Sequence, residues 1–390
     1  MSAVPTIHLN RLRDVALHPI GEKVRHGERL SAADAVTLYR SPDILGLGHL
    51  ADALNRAKHG DVVTFASNQH INPTNVCVLR KTCVFCGYAR LPKEEGAYRY
   101  SLEQVLAEAA QATDSMTREF HIVGGLDMQA GLQYYTTMFR ALKAAHPQVH
   151  IKALTAVEIA HIARIEKMSW TDVLIALRDA GLDTMPGGGA ETFSAAVRDV
   201  IADKKLGGAD YINVHRAAHD LGTRTNCTML YGHVETIEDR VEHLTMLRDL
   251  QDQTGGFLAF IPLAYHPDDN ELGVTLGRQG TSTTGMDDLR NLAVGRLYLD
   301  NFEHIKSHWI MVSPSLTQIA LAFGVNDIEG TVVREKIYHA VGAQTKQGMT
   351  LDELLRLIRG AGKQPAERDS FYRIIRTFDD VPAEPIGAAA

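Results

Sequence analysis

Short apolar runs, each followed by turn residues and a helical stretch, constrain the fold of this 390-residue chain more than any other feature. They are VVTFAS (62–67), EFHIVG (119–124), VHIKALT (149–155), DTMP (183–186), RTNCTMLYG (224–232), GFLAFIPL (256–263) and WIMVS (309–313). Their Val, Ile and Phe content, bounded by turn residues, reads as strands. Between them SLEQVLAEAAQAT, QYYTTMFRALKAAH, WTDVLIALRDAG and IEDRVEHLTMLRDLQDQT read as helices. Strands that alternate with helices run parallel, because each crossover returns the chain to the same end of the sheet. The expectation is an α/β fold, a TIM-type (β/α) barrel over residues 59–345. A helical leader (1–58), where Ser31 caps the helix formers AADAVTLYR, precedes it. A helical extension and tail (346–390) follows, its last residues VPAEPIGAAA expected to fray.

In such a barrel the active site forms where strands end and helices begin. The segments that follow these strands are GGLD, TAVE, PGGGAE, GHVE, YHP and SPS, so Gly, His, Glu and Pro collect on one rim. The same residue types also make the turns and caps that any barrel needs.

The stretch NPTNVCVLRKTCVFCGYAR (72–90) carries Cys77, Cys83 and Cys86, three of the chain's four cysteines, while Cys227 stands far away in RTNCTMLYG. Three neighbouring thiols cannot pair off, which argues against a disulfide framework and for a reduced, cytoplasmic setting. Closely spaced thiolates are soft ligands for zinc or for an iron–sulfur cluster. Structural zinc needs a fourth ligand, which His70 could supply; unligated cysteines would pack as small hydrophobes. A four-iron cluster on three cysteines leaves one iron open to a substrate. His215 and His219 share a helix face at i, i+4, a zinc-binding spacing, but without the HExxH glutamate or an obvious third ligand.

With 45% hydrophobic and 22% charged residues the composition is that of a globular protein. A net charge of −7 with no basic run excludes nucleic acid and anionic membrane as expected partners. The longest apolar stretch, GGFLAFIPLAY (255–265), is about half of the ~20 residues a spanning helix needs, and the N-terminus shows no export signal.

The cysteine loop resembles that of radical S-adenosylmethionine enzymes, in which an aromatic, here Phe85, directly precedes the third cysteine. Their first two cysteines are separated by three residues; here VLRKT makes five. Two extra loop residues are expected to bulge outward without moving either sulfur. Arg80 and Lys81 then lie beside the cluster, where positive charge would ease its reduction unless both are simply solvated. Longer segments carry a more specific resemblance. HINPTNVC, GGLDMQAGLQYYTTMFRALKAAHPQVHIKALTAVEIAH, AGLDTMPGGGAE, VHRAAHDLG, TMLYGHVET, LRDLQDQTGGFLAFIPLAYHP and RDSFY are similar to the aminodeoxyfutalosine synthase family over about residues 60–375. A sister family, cyclic dehypoxanthine futalosine synthase, shares the glycine run before Glu191 and the GHVET neighbourhood, but LTAVEIAH and IPLAYHP differ from its counterparts.

The resemblance implies a [4Fe-4S] cluster on Cys77, Cys83 and Cys86, with S-adenosyl-L-methionine as co-substrate. It also implies 3-[(1-carboxyvinyl)oxy]benzoate as the small-molecule substrate, an electron donor such as flavodoxin or ferredoxin, and room for an oligomer. Cofactor contacts are expected from Phe85, from Gly124 and Gly125 as bare backbone beside the methionine amino group, from Glu158, and from Tyr231, Gly232 and Glu235 around the nucleoside. Substrate contacts are expected from Gly187, Gly188, Gly189 and Glu191, read as a helix-start anion site, with His233 and His266 as proton donors or carboxylate partners. Other readings are the sister cyclase, a deazaflavin-type synthase, or a zinc-stabilised barrel that binds without catalysis.

Overall fold

A computed structural model describes residues 5–111, 117–280, 282–343 and 345–378. Its strands are β1 (Val62–Ala66), β2 (Asn68–Ile71), β3 (Glu119–Ile122), β4 (His150–Ala153), β5 (Thr225–Tyr231), β6 (Phe257–Ala264), β7 (His304–Ile305), β8 (Asp327–Gly330), β9 (Gln364–Arg368) and β10 (Ile374–Thr377). β1 and β2 are one stave broken at Ser67: β1 pairs with β8 and β9, and β2 pairs with β3. β3–β4 and β5–β6–β7 continue in parallel. The expected strand at 183–186 is reduced to two single bridges, Lys152↔Thr184 and Met185↔Thr225, which hand the ring from β4 to β5. Bridges Lys306↔Asp327 and Gln69↔Val333 complete the barrel.

Two expectations need correction. WIMVS is no strand: Trp309–Val312 is a helical turn, with the Trp309 indole N–H donating to the Gly330 carbonyl (2.9 Å) in the core. A four-residue apolar run has no period that separates buried strand from buried helix. The last segment is not only helical either: helix Leu351–Gly360 leads into β9, which lies parallel to β1, and β10, which returns antiparallel. The tail 381–390 lies outside the described residues. The leader forms helices Leu17–His26, Ala32–Arg40 and Ile44–His59, and Ser31 caps the second of these in a capping box with Asp34. Among the described residues no helix is long and apolar enough to cross a membrane.

The barrel strands are buried on both faces, yet several alternate polar and apolar residues. In β3, Phe120 and Ile122 join the hydrophobic core, while Glu119 and His121 take the opposite face. The polar face is the lumen. At its floor, Lys152 Nζ lies 2.6 Å from Glu119 Oε2, and Arg368 Nε lies 2.5 Å from Asp327 Oδ2. Charges this deep are tolerated because each has a partner.

Candidate active site

Above that floor opens a cavity of about 310 Å³, and the cysteine loop forms one wall of it. The loop leaves β2 and is pinned from three sides. Val78 N–H donates to the Leu126 carbonyl (3.0 Å), Val84 N–H to Ile201 (3.0 Å), and Leu272 N–H to Val84 (2.9 Å). The additional residues between Cys77 and Cys83 do not dangle: Cys83 N–H and Thr82 N–H both donate to the Leu79 carbonyl (2.9 Å), closing one turn. Arg80 faces Glu94 (3.6 Å) and Glu271 (4.0 Å), and Lys81 is exposed, so neither cation lines the cavity.

All three thiols are free, all line the cavity, and Cys83 lies within electrostatic reach of both Cys77 and Cys86. Burial pushes the Cys83 thiol up to about 12, against the opposing pull of the nearby Lys205 ammonium. Cys227 is fully buried and bonds weakly to the Ala259 carbonyl, on the far side of the Gly187 backbone. Three convergent soft donors with no fourth cysteine near them fit a cluster with one open iron.

Gly124 and Gly125 line the cavity where β3 ends, and a Cβ on either would strike the chain just before Cys77: 2.8 Å from the Thr74 carbonyl oxygen and 2.2 Å from that of Val76. Glycine here lets the cysteine loop approach β3. Glu158 is no surface helix-start residue. It is 3% exposed, and its carboxylate accepts from Gly124 N–H (2.9 Å) and Thr155 N–H (2.7 Å). Burial outweighs these bonds and raises its pKa to about 7.

The glycine run does not open a helix. The next helix is Ala195–Ile201, so the expected helix-start anion site is absent there. Gly187, Gly188 and Gly189 nonetheless line the cavity. Gly187 has no room for a side chain, because a Cβ would lie 2.4 Å from Cys227 Cα; Gly188 has more, 3.2 Å from Thr155 Cγ2. Glu191 also lines the cavity, paired with Lys205, whose ammonium lies 5.3 Å from the centre of the Phe85 ring. Lys205 was invisible in the sequence, where DKK after a helix reads as solvated charge; in fact Lys204 is exposed and Lys205 is drawn inward.

His266 lines the cavity, with Nε2 3.2 Å from the Met311 carbonyl. Tyr231, Gly232, His233 and Glu235 do not line it. Tyr231 donates to Asp288 in the core (2.8 Å), and Glu235 accepts from Gly232 N–H (2.6 Å), His233 N–H (2.9 Å) and Arg240 Nε (2.9 Å). GHVE is thus a self-satisfied turn, with Gly232 at φ +89°. The sequence reading also missed His121, His308, Glu329 and Glu335 on the cavity wall; the polar–apolar alternation in EFHI and DIEG was the available signal.

Residues 71–247 match the model of the radical SAM superfamily, and residues 254–381 match the CofH/MqnC C-terminal region. The aminodeoxyfutalosine synthase of Thermus thermophilus is 46% identical over 95% of this chain and 99% of its own length. That of Streptomyces coelicolor is 43% identical, covering 92% of this chain and 94% of its own. The chain belongs to the aminodeoxyfutalosine synthase family. As a member it is a radical S-adenosylmethionine enzyme of the futalosine route to menaquinone, with a [4Fe-4S] cluster and S-adenosyl-L-methionine. The barrel also matches the crystal structure of methylornithine synthase, with a TM-score of 0.70 at 17% identity, covering 89% of this chain and 97% of the other. A small-molecule substrate and a source of electrons are consistent with membership of the aminodeoxyfutalosine synthase family.

Proposed function

We propose that the cavity joins the 5′ carbon of S-adenosylmethionine to the enol double bond of 3-[(1-carboxyvinyl)oxy]benzoate. Aryl migration, loss of the former pyruvyl carboxylate as carbon dioxide and return of the one electron spent on splitting S-adenosylmethionine then give 6-amino-6-deoxyfutalosine. The observation that carries this reading is the near-full-length identity to relatives bearing that synthase name. The cluster, when bound, would supply the electron that splits S-adenosylmethionine into methionine and a 5′-deoxyadenosyl radical, and a donor such as flavodoxin or ferredoxin would prime it.

The chain's own residues supply position and dryness. Cys77, Cys83 and Cys86 would hold the cluster, and Phe85 lines the same cavity beside them. Val123, Leu126, Ile261, Leu263 and Ile337 give the wall an apolar surface that keeps water and stray hydrogen donors from the reacting carbons. A 5′ carbon held within roughly 3 to 3.5 Å of the alkene adds before it finds a hydrogen to abstract. The bare edge formed by Gly124 and Gly125 suits the methionine end, and Glu158, with a pKa of about 7, can hold or release a proton there. Lys205 and His266 face the cavity as partners for substrate carboxylates.

The test is an anaerobic incubation with S-adenosylmethionine labelled at its 5′ carbon, reductant and the enolpyruvyl benzoate, read by mass spectrometry. Label is expected in an adenine-containing adduct, beside unlabelled methionine. Labelled 5′-deoxyadenosine in stoichiometric amount, with no labelled adduct, would move the chain to the hydrogen-abstracting sister enzymes.

A further inference from the structure

The floor side of the same cavity holds a cluster that the chemistry above does not use. His70 on β2 and His121 on β3 are register partners, and their rings stack with centroids 4.5 Å apart. Among the described residues, the buried ring nitrogens His70 Nε2 and His121 Nδ1 have no hydrogen-bond partner, and His70 is only 8% exposed. Glu329 of β8 faces them, and one donor atom from each of the three residues lies within 4.8 Å of the other two. We propose that His70, His121 and Glu329 bind a divalent transition-metal ion, separate from the iron–sulfur cluster.

Four observations support the assignment. Buried polar groups are normally satisfied, so two stacked imidazoles, each with an unpartnered nitrogen, indicate a missing partner. Burial holds both imidazoles below their ordinary pKa and therefore neutral, which leaves a lone pair on each ring for a metal. The carboxylate is already oriented by the chain: Glu329 Oε1 accepts from Asn68 Nδ2 (3.1 Å), and Lys306 Nζ stands 2.7 Å from Oε2, behind the cavity wall. Lastly, His70, His121 and Glu329 all line the cavity, so an ion held by them is reached from the same space as the substrate.

Two histidines and one carboxylate suit Zn(II), Fe(II) or Mn(II) and leave coordination positions open. His308, whose Nδ1 is unpartnered and 3.9 Å from Glu329 Oε2, stands next to the set as a further nitrogen donor. On the reading proposed above, an open position faces a carboxylate of the substrate; the metal site itself does not depend on that reading.

The experiment uses cluster-loaded protein and Zn(II) as the probe, with uptake measured by elemental analysis after anaerobic gel filtration. Expected are ~4 irons and about one tightly held zinc per chain, with zinc K-edge absorption showing nitrogen and oxygen neighbours and no sulfur. His70→Ala and His121→Ala should each weaken zinc binding by at least about tenfold while iron content is kept. Wild-type protein that takes up no zinc, or zinc with sulfur neighbours, would overturn the assignment whatever the variants do. So would folded, iron-loaded variants that keep their zinc. Each readout is independent of turnover, so failure of the synthase assay leaves this result standing and the reverse holds as well.

Discussion

At the floor of the barrel, Lys152 and Glu119 meet at 2.6 Å with each side chain 1% exposed; at the mouth, Cys77, Cys83 and Cys86 converge on the open cavity. Both are buried sets of polar atoms, and they are satisfied in opposite ways. The floor pairs these charges: Glu119 on β3 has Lys152 on the adjacent β4, and Asp327 on β8 has Arg368 on β9, across the intervening β1. The mouth sets its thiols near one cation, Lys205, which is already paired with Glu191. Ion pairs complete in themselves can carry stability, and thiols that face an open cavity can carry chemistry.

The largest expected effect would break the comparison at the mouth. Cys77→Ala, Cys83→Ala and Cys86→Ala should each lose the cluster and all turnover, whereas Cys227→Ala keeps both. Iron and sulfide analysis after anaerobic reconstitution decides this, and normal iron in Cys83→Ala would mean that another side chain ligates. Next comes the floor. Lys152→Met strands the Glu119 carboxylate in the interior and should cost about 3–5 kcal/mol in denaturant unfolding. The double change Lys152→Met with Glu119→Leu should recover most of that loss, and failure to recover would show that the pair serves something other than mutual neutralisation.

Smaller effects sharpen the contrast. Gly188→Ala adds a methyl group where 3.2 Å is available, so iron content and Tm should stay near wild type while turnover falls by about tenfold. Parallel loss of stability would make the position a turn and nothing more. The smallest effect concerns Glu158. Its pKa in the folded chain, about 7, lies above the ordinary 4.5, so the proton is held more tightly folded than unfolded. That stabilisation is complete below about pH 4.5 and is lost as pH rises through 7. The Tm of wild type measured against Glu158→Gln should therefore fall between pH 5 and 8; a flat difference would show that Glu158 titrates normally.

What the sequence revealed follows the same division. The helix over IEDRVEHLTMLRDLQDQT is found at Ile237–Thr254, and most long strands lie within a few residues of their expected places, because length and apolar periodicity are local signals. The three cysteines were legible because thiols in close sequence are rare and specific. Lys205, His121 and Glu329 were not, since each is a common residue whose importance comes from strands distant in sequence. GHVE misled in the other direction: its polar residues look available in the sequence, and the fold uses them up within their own turn.

The pairing of β9 with β1 sets an order of events during synthesis. Val62 takes its partner Gln364 from a segment made about 300 residues later, which at cellular elongation rates is on the order of 15 to 60 s. Throughout that interval one edge of β1 has no strand to meet, and Arg368, the guanidinium that neutralises Asp327, does not yet exist. The thiols of the cysteine loop leave the ribosome early, whereas the cavity wall that shields them is completed only at Val341. Iron delivered to the nascent chain would therefore meet an open, oxidisable loop, and the timing favours cluster insertion into the released polypeptide.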